Sequence, residues 1–317
     1  MLELRHPHAA AETMSLTPRV GLLLMVPPLL WAGNATVGRL LAGSVPPLLL
    51  NAMRWWVALL LLVPLGWRAI GTAQRRAELR QRWKPLAMLG LLGVGAYNAL
   101  QYLALQTSTP INVTLIASST PVWMLIVGAL FYGERIRAMQ LAGAALSLAG
   151  VLLVLVRGDL AGLGSLRLVS GDLWILLAAV CWAFYSWQLA RPHASLSGSE
   201  RPQWDWAEFI LVQTLFGIVW ASAAAGGEAL AGAAPVKWSW GLAAALAYLA
   251  IGPSVLAYRC WGLGVAAVGP ALASFFSNLT PLFAALMSAA LLSQAPQPYH
   301  AVAFALIVAG IVVSNRR

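Results

Sequence analysis

Two stretches of this sequence, residues 107–134 and 267–294, share their spacing of prolines and lie 160 residues apart. Each stretch has a proline near its start and a second proline eleven residues on, preceded by threonine. These prolines are Pro110 and Pro121 in the first stretch and Pro270 and Pro281 in the second, and the apolar runs that follow place Gly150 and Gly310 at the same 160-residue offset. Few other positions are identical. The shared spacing predicts an internal repeat, and therefore two structurally related halves.

Apolar runs long enough to cross a bilayer recur along the chain, since a spanning helix needs about 20 such residues. Hydrophobic residues make up 60% of the sequence and charged residues only 9%, whereas about a quarter of a soluble domain is charged. The sequence therefore predicts an all-α integral membrane protein with ten transmembrane helices. The predicted spans are 20–41, 47–66, 86–106, 110–131, 139–156, 171–190, 207–226, 240–263, 270–292 and 299–315.

An odd number of helices in each half has a topological consequence. With five helices per half, the second half must enter the membrane upside down relative to the first. We predict a segment 1–19 in the cytoplasm, a first five-helix repeat 20–156, a linker 157–170 outside and a second five-helix repeat 171–317. Transporters use such inverted repeats around a central cavity, with the substrate site near the membrane midplane where the halves meet.

The basic residues predict the orientation. With the N-terminus in the cytoplasm, fourteen of the 20 Lys and Arg residues lie in inside segments and three lie outside. The other three, Arg39, Arg54 and Arg259, fall within predicted spans. Because basic loops stay in the cytoplasm, both termini are expected there. The net charge of +10 is explained by these loops, so we expect a lipid bilayer and not nucleic acid as the partner of the basic residues.

The sequence resembles the drug/metabolite transporter superfamily, in its ten-helix EamA-type branch. The resemblance rests on the two proline blocks, the Gly133–Glu134 pair, the glycines of the AGV and AGI runs, and the tryptophans in WAGN and WAFYSWQ, Trp31 and Trp182. It extends over residues 20–315 and is greatest with aromatic amino acid exporters of the YddG type. It implies a bacterial inner-membrane exporter of amino acids or similar metabolites, with spans 1, 3, 4, 6, 8 and 9 around the cavity. The sequence departs from the family at Gln294, where the family often repeats an acidic residue.

Polar and aromatic residues inside five of the spans are candidates for lining that cavity. Polar groups inside a bilayer need a hydrogen-bond partner or a water-filled cavity. Aromatic walls with a few amide and hydroxyl groups suit a small amphiphilic ligand. The candidate substrate-binding residues are Trp31, Asn34, Tyr97, Asn98, Gln101, Ser118, Trp182, Tyr185, Ser186, Ser277 and Asn278. The alternative is that these amides and hydroxyls only form hydrogen bonds between helices.

The second proline of each block, Pro121 and Pro281, is expected to kink its helix, because proline removes one backbone hydrogen bond. The carbonyls of Ala117 and Ser277, four residues earlier, would lose their partners. We interpret the two prolines as hinges for alternating access, with a freed carbonyl facing the substrate. A fixed kink that only shapes the cavity is the structural alternative.

The charged residues and short motifs limit the class of protein. None of GxxxxGK[ST], HExxH and GxSxG occurs, which argues against an ATP-driven pump or a membrane enzyme. No cofactor or metal site is indicated, and the two related halves make a monomer sufficient. Arg54 could attract a substrate carboxylate or bond backbone carbonyls of a neighbouring helix. We favour the structural role, because the second span should lie outside the central ring.

The cargo and the driving force follow from the same residues. No Asp, Glu or His lies in the middle of a predicted span, which favours a facilitator over a proton-coupled antiporter. Neutral or aromatic amino acids fit best, and a cationic drug, a nucleotide sugar or a phosphorylated metabolite are the alternatives. Tryptophan content alone does not identify an aromatic cargo, because many tryptophans are expected in the interface belts. These belt candidates are Trp55, Trp56, Trp67, Trp83, Trp204, Trp206, Trp238 and Trp240.

Overall fold

The computed structural model describes residues 16–108, 110–159, 169–291 and 297–316, and within these ranges the chain is almost entirely helical, with no strand. The α-helices are α1 Pro18–Leu40, α2 Pro47–Gly66, α3 Ala73–Gln81, α4 Trp83–Gly90, α5 Tyr97–Thr107, α6 Pro110–Ala117, α7 Thr120–Tyr132, α8 Ala138–Leu155, α9 Ser170–Ala190, α10 Trp206–Leu230, α11 Trp240–Leu249, α12 Ala257–Phe276, α13 Thr280–Leu291 and α14 Pro298–Ser314.

Eight helical segments in the described ranges are long and apolar enough to cross a membrane. One of them, Trp240–Met287, has 48 residues and turns at Gly269, whose φ is +80°. It therefore contains both the eighth and the ninth predicted span. A shorter apolar helix, α14, corresponds to the tenth. The predicted all-α membrane architecture is confirmed.

Two π-helical segments lie at matching positions of the two halves, and the sequence analysis did not predict them. The first π segment, Leu91–Ala96, joins α4 to α5 in the third span, and the second, Ala250–Leu256, joins α11 to α12 in the eighth. Each contains glycine, and the second also contains Pro253. Because π-helical turns shift the backbone hydrogen bonds by one residue, they leave carbonyls available to other donors and are frequent at functional sites.

The fourth and ninth spans are each broken before the second proline of the repeat. Residues 118–119 form a turn between α6 and α7, and Ser277–Leu279 form a 3-10 turn between α12 and α13. Pro121 and Pro281 are each the second residue of the helix that follows. Proline is well tolerated there, because the N–H of that position has no partner inside the helix.

The predicted free carbonyls at these breaks are not found. The carbonyl oxygen of Ala117 accepts a hydrogen bond from the hydroxyl of Thr120 at 2.5 Å. The carbonyl oxygen of Ser277 accepts one from the backbone N–H of Thr280. The prediction that these carbonyls lack a partner is therefore wrong, because the turn before each proline supplies a local donor.

The packing of the helices has the same pattern in both halves. Helix α8 packs along α14, and α2 packs along α10. The contact of α5 with α9 has its counterpart in that of α1 with α12, and the contact of α7 with α9 in that of α1 with α13. Exchanging each span with the one five places later leaves this set of contacts unchanged, as expected for two related halves.

The glycines of the AGV and AGI runs allow α8 and α14 to approach closely. A Cβ atom at Gly310 would lie 2.6 Å from the carbonyl oxygen of Gly143, and one at Gly143 would lie 2.6 Å from the carbonyl oxygen of Gly310. A Cβ at Gly150 would lie 2.8 Å from the carbonyl oxygen of Ala303. Small residues at such contacts let helix backbones pack tightly in a membrane.

Candidate functional site

An aromatic cluster lies where the two halves meet, centred on Trp182 of α9. Its ring centroid lies 4.9–5.5 Å from five other rings. The aromatic cluster consists of Trp182 and these five residues, Trp31, Tyr97, Tyr185, Tyr258 and Trp261. The members come from the first, third, sixth and eighth spans. Ring pairs at these distances add favourable edge and offset contacts to the burial of apolar surface.

The cluster is joined to both π segments by hydrogen bonds. The indole N–H of Trp31 donates to the carbonyl oxygen of Pro253 in the second π segment at 3.3 Å. The hydroxyl of Tyr258 donates to the carbonyl oxygen of Gly93 in the first π segment. Each half therefore supplies one aromatic donor and one carbonyl acceptor at the centre of the bundle. These hydrogen bonds to the π segments limit the rotation of the two rings.

Two further hydrogen bonds hold Tyr185 and Trp261 of the cluster in place. The hydroxyl of Tyr185 donates to Oε1 of Gln213 on α10 at 3.1 Å, and the indole N–H of Trp261 donates to Oγ of Ser186 at 3.1 Å. A Cβ atom at Gly93 would lie 2.5 Å from the Tyr185 ring, so only glycine leaves room for that ring against the first π segment.

A second group of side chains, the Arg54 network, lies beside the cluster. It consists of Arg54, Asn34, Asn98, Gln101, Tyr102 and Ser254. Nη1 of Arg54 lies 3.0 Å from Oδ1 of Asn34, from Oδ1 of Asn98 and from the hydroxyl of Tyr102. The Tyr102 hydroxyl also donates to Asn34 Oδ1 at 2.8 Å. The network joins the first, second, third and eighth spans.

The partners of Arg54 differ from the structural role that we favoured, which was to bond backbone carbonyls of a neighbouring helix. Arg54 is fully buried, and its hydrogen bonds go to side chains of three other spans. None goes to a backbone carbonyl in the described ranges. The second span lies outside the aromatic cluster, as expected, but the arginine side chain is long enough to reach the centre of the bundle from there.

Most of the predicted substrate-binding residues are brought together. Trp31, Tyr97, Trp182 and Tyr185 belong to the aromatic cluster, Ser186 is bonded to it, and Asn34, Asn98 and Gln101 belong to the Arg54 network. These residues were predicted from their spacing on the first, third and sixth spans, and the structure places them near one another.

Three predicted residues lie elsewhere. The hydroxyl of Ser118 donates to the carbonyl of Thr114 in its own helix at 2.7 Å. Asn278 donates to Oγ of Ser147 on α8 at 2.9 Å. Oγ of Ser277 is buried and has no hydrogen-bond partner among the described residues. Asn278 therefore fits the alternative that polar groups form bonds between helices, whereas Ser118 bonds within its own span. No hydrogen bond of the described residues joins any of the three to the cluster or the network.

Several members of the site were not among the predicted residues, notably Arg54, Ser254, Tyr258 and Trp261. The repeat offset could have identified two of them. Tyr258 and Trp261 lie 160 residues after Asn98 and Gln101. Applying the offset of the proline blocks to the third span would have pointed to both aromatic residues. Trp55, expected in an interface belt, is instead fully buried, with its ring centroid 5.1 Å from that of Tyr258.

Unpartnered polar atoms surround the first π segment. Asn51 donates to the carbonyl of Val94 at 3.1 Å, but its own Oδ1 has no partner in the described part of the chain. The same holds for Nε1 of Trp55, Nε2 of Gln213 and Oγ1 of Thr214. Buried polar atoms are almost always bonded to protein or ordered water. These atoms near the centre of the bundle are therefore available to form hydrogen bonds with water or a polar ligand.

Within the described ranges, the buried carboxylates lie at helix starts. Asp172, near the start of α9, accepts hydrogen bonds from Ser108, from Asn112 at 3.0 Å and from the backbone N–H of Val169 at 2.9 Å. Glu208, in the first turn of α10, accepts one from the backbone N–H of Asp205 at 2.8 Å. These carboxylates stabilise helix N-termini, and neither is bonded to the cluster or the network.

Side chains fill the centre of the bundle in this structure. Asn34, Asn98, Trp182 and Tyr185 are each 1–3% exposed. A cavity next to the Arg54 network, lined in part by Tyr102, has a volume of about 10 Å³, which is room for about one water molecule. A ligand larger than water reaches these residues only after the helices move.

Comparison with known proteins gives a consistent result. The sequence matches the model of the EamA-like transporter family over residues 19–156 and again over 169–316. It is 29% identical over 276 residues to a protein of Ancylobacter novellus named as the aromatic amino acid exporter YddG, covering 86% of this chain and 89% of that protein. It is 28% identical over 302 residues to an uncharacterized transporter of Archaeoglobus fulgidus, covering 93% and 97%. A solved crystal structure has a TM-score of 0.71 and 27% identity, covering 93% of this chain and 96% of that one.

Proposed function

The chain belongs to the EamA-like transporter family, within the drug/metabolite transporter superfamily, and we propose that it exports neutral and aromatic amino acids across the bacterial plasma membrane. The members of this family are transporters and not enzymes. The observation that carries the proposed cargo is the aromatic cluster around Trp182, built from spans of both halves. The relative in Ancylobacter novellus is named for the same kind of cargo.

The chemistry of the centre supports an amphiphilic cargo. The cluster offers aromatic faces that can stack on an apolar or aromatic side chain. The amides of Asn34, Asn98 and Gln101 offer oxygens and N–H groups to the polar end of a ligand. These groups are adjacent, because Tyr97 and Asn98 are consecutive residues of α5. Apolar walls with a few placed polar groups are typical of sites for small molecules.

Alternating access between the two halves is the proposed mechanism. The symmetric helix contacts favour two inverted repeats that can exchange conformations. The breaks before Pro121 and Pro281 and the two π segments interrupt four of the spans at matching positions. We infer that the outer or inner half of each interrupted span moves about its break, and that Pro121 and Pro281 act as hinges.

The proposed transport is facilitative. Proton-driven transporters place ionisable carboxylates or histidines in the pathway. In the described ranges the buried carboxylates Asp172 and Glu208 lie at helix starts and are bonded there to neighbouring groups. The substrate would thus move down its own gradient. Both termini are inferred to lie in the cytoplasm from the basic loops, and one copy of the chain contains both halves, so a monomer suffices.

The rival cargoes fit the centre less well. A cationic drug calls for a carboxylate near the cluster, and none of the described carboxylates contacts it. A phosphorylated metabolite or nucleotide sugar calls for several basic side chains. In the described part of the centre, Arg54 is the one arginine in the network, and Arg259 lies instead over the Trp206 ring, at 4.2 Å.

Uptake into liposomes that contain the purified protein tests this proposal. A panel of labelled amino acids would be applied without any ion gradient, to the wild type and to Tyr97→Ala combined with Gln101→Ala. We expect transport of neutral or aromatic amino acids by the wild type and its loss in the double variant. Gln74→Ala, on an exposed part of α3, is the control and should transport like the wild type. Absence of transport for every amino acid would contradict the proposal and favour the rival cargoes.

A further inference from the structure

The guanidinium of Arg54 is a buried cation that pairs with no carboxylate in the described ranges. Its side chain is fully buried, and its partners Asn34, Asn98, Tyr102 and Ser254 are all neutral. The ion pairs found in the described ranges all involve other arginines, which lie in loops or at the cytoplasmic ends predicted for the spans. A charge at this depth is costly unless it has a counter-ion or a wet cavity.

Hydrogen bonds hold the guanidinium in place, but one of its N–H groups has no partner among the described residues. Nη1 has two N–H groups and three oxygen acceptors at 3.0 Å, so these acceptors share its hydrogens. Nη2 also has two N–H groups, but among the described residues it makes one bond, to Ser254 at 2.8 Å. The edge of the guanidinium that carries Nη1 and Nη2 can bind a carboxylate through two parallel bonds. It is held in place by Nε, which bonds Ser254 at 3.0 Å.

The guanidinium and the aromatic cluster are parts of one contiguous site. Trp55, the residue after Arg54, contacts Tyr258 of the cluster, with centroids 5.1 Å apart. Ser254 follows Pro253, whose carbonyl oxygen accepts the indole N–H of Trp31. A ligand with an anionic end and an apolar ring can therefore contact both groups at the same time, once the helices open.

We propose that Arg54 binds the carboxylate of the transported molecule, so that a carboxylate is required for recognition. This inference rests on the proposed function and specifies its substrate class. The carboxylate replaces the amide oxygens of Asn34 and Asn98 at Nη1 and occupies the unused N–H of Nη2. The displaced amide oxygens, with Oε1 of Gln101, are then free to accept hydrogen bonds from the α-ammonium group. The ring of the substrate lies against the cluster.

Competition for labelled phenylalanine uptake into liposomes tests the inference in the wild type. The competitors are unlabelled phenylalanine, 3-phenylpropionate, phenylalanine amide and phenethylamine. We expect the two carboxylates to compete, and the amide and the amine to be weaker than phenylalanine by about tenfold or more, because a charge-assisted bidentate contact is lost. Equal competition by phenylalanine, its amide and the amine would overturn the inference and leave the proposed amino acid transport intact.

Two substitutions test whether the preference for carboxylates depends on Arg54. Arg54→Lys keeps the charge but loses the two parallel bonds, so we expect weaker uptake with the same preference for carboxylates. Arg54→Gln should reduce phenylalanine uptake by about tenfold or more. Arg259→Gln is the matched control, since that guanidinium lies over the Trp206 ring, and it should keep the wild-type preference. Wild-type preference in Arg54→Gln would contradict the inference.

A binding measurement separates this inference from the proposed function. The thermal unfolding midpoint of the purified wild type in detergent would be followed with 3-phenylpropionate and, separately, with phenethylamine. Stabilisation by the carboxylate alone, absent in Arg54→Lys or reduced there, supports the inference even if no amino acid is transported and the proposed function fails. Equal stabilisation by the two compounds, or none by either, would overturn it.

Discussion

Two nitrogens of the Arg54 guanidinium, Nε and Nη2, donate to the single hydroxyl oxygen of Ser254, at 3.0 and 2.8 Å. The same hydroxyl donates to the carbonyl oxygen of Leu249 at 2.8 Å. Ser254 therefore connects the second span to the second π segment, and it also bonds the carbonyl of Leu249, the last residue of α11. This contact attaches an irregular stretch of the eighth span to a regular helix of the other half.

Ser254→Ala should destabilise the protein. It leaves two N–H groups of Arg54 without this partner in a buried site, at a cost of about 1–3 kcal/mol. The thermal unfolding midpoint in detergent should fall by several degrees. Ser222→Ala is the control, since its hydroxyl accepts one bond at 3.1 Å from Trp56, which is 49% exposed, and the midpoint should hardly change. Equal midpoints for the two variants would contradict this account of Ser254.

Tryptophans of the cluster and tryptophans of the membrane interface should differ in their effect on transport. Trp182 touches five rings, whereas Trp240 is 92% exposed. Trp182→Ala removes several stacking contacts of about 0.5–1.5 kcal/mol each, so uptake of aromatic amino acids should fall about tenfold or more. Trp182→Phe should retain intermediate activity. Trp240→Ala should transport at the wild-type rate, and the same rate for Trp182→Ala would show that the cluster is not part of the site.

The proposed hinges make a kinetic prediction. Pro121→Ala and Pro281→Ala each add a backbone N–H, which allows the two helices on either side of the break to join. The binding residues are unchanged, so the rate of transport should fall while the substrate concentration at half-maximal rate stays nearly constant. Pro64→Ala, within α2 and exposed, is the control and should leave both unchanged. Wild-type turnover in Pro281→Ala would exclude the hinge.

The close contact of α8 and α14 predicts opposite effects for two glycine substitutions. Gly310→Ala places a methyl group 2.6 Å from the Gly143 carbonyl oxygen, so the helices must separate and the protein should lose stability. Gly226→Ala, in α10, meets nothing within 4 Å and should stabilise the protein by about 0.5–1 kcal/mol. Thermal unfolding of both variants in detergent checks this. Destabilisation by Gly226→Ala, or none by Gly310→Ala, would contradict the packing account.

The sequence was sufficient to predict the helices and much of the site, because both depend on local patterns. Asn34 and Asn98 stand out as amides in apolar runs, and such amides need partners inside the membrane. The π segments were not predictable, because a shift of one hydrogen bond leaves no pattern in a uniformly apolar run. The side-chain partners of Arg54 were not predictable, because they depend on how far a long side chain reaches from the second span, which is a tertiary property.

The ninth span shows the limit of arguing by spacing. Asn278 lies near Pro281, as an assumed site residue should, but its side chain bonds Ser147 of α8. Which face of a broken helix points to the centre depends on the turn at the break. The sequence contains the proline that marks the break, but it does not specify the 3-10 turn between α12 and α13.

Equilibrium counterflow in liposomes tests the central claim, that the two halves carry an amino acid by alternating access without ion coupling. Liposomes loaded with unlabelled phenylalanine, in the presence of a protonophore, would be diluted into a trace of labelled phenylalanine. We predict a transient accumulation of label inside, because each return of the carrier is coupled to the unlabelled substrate. Equilibration without any overshoot would indicate a channel, and accumulation that requires a proton gradient would contradict facilitative transport.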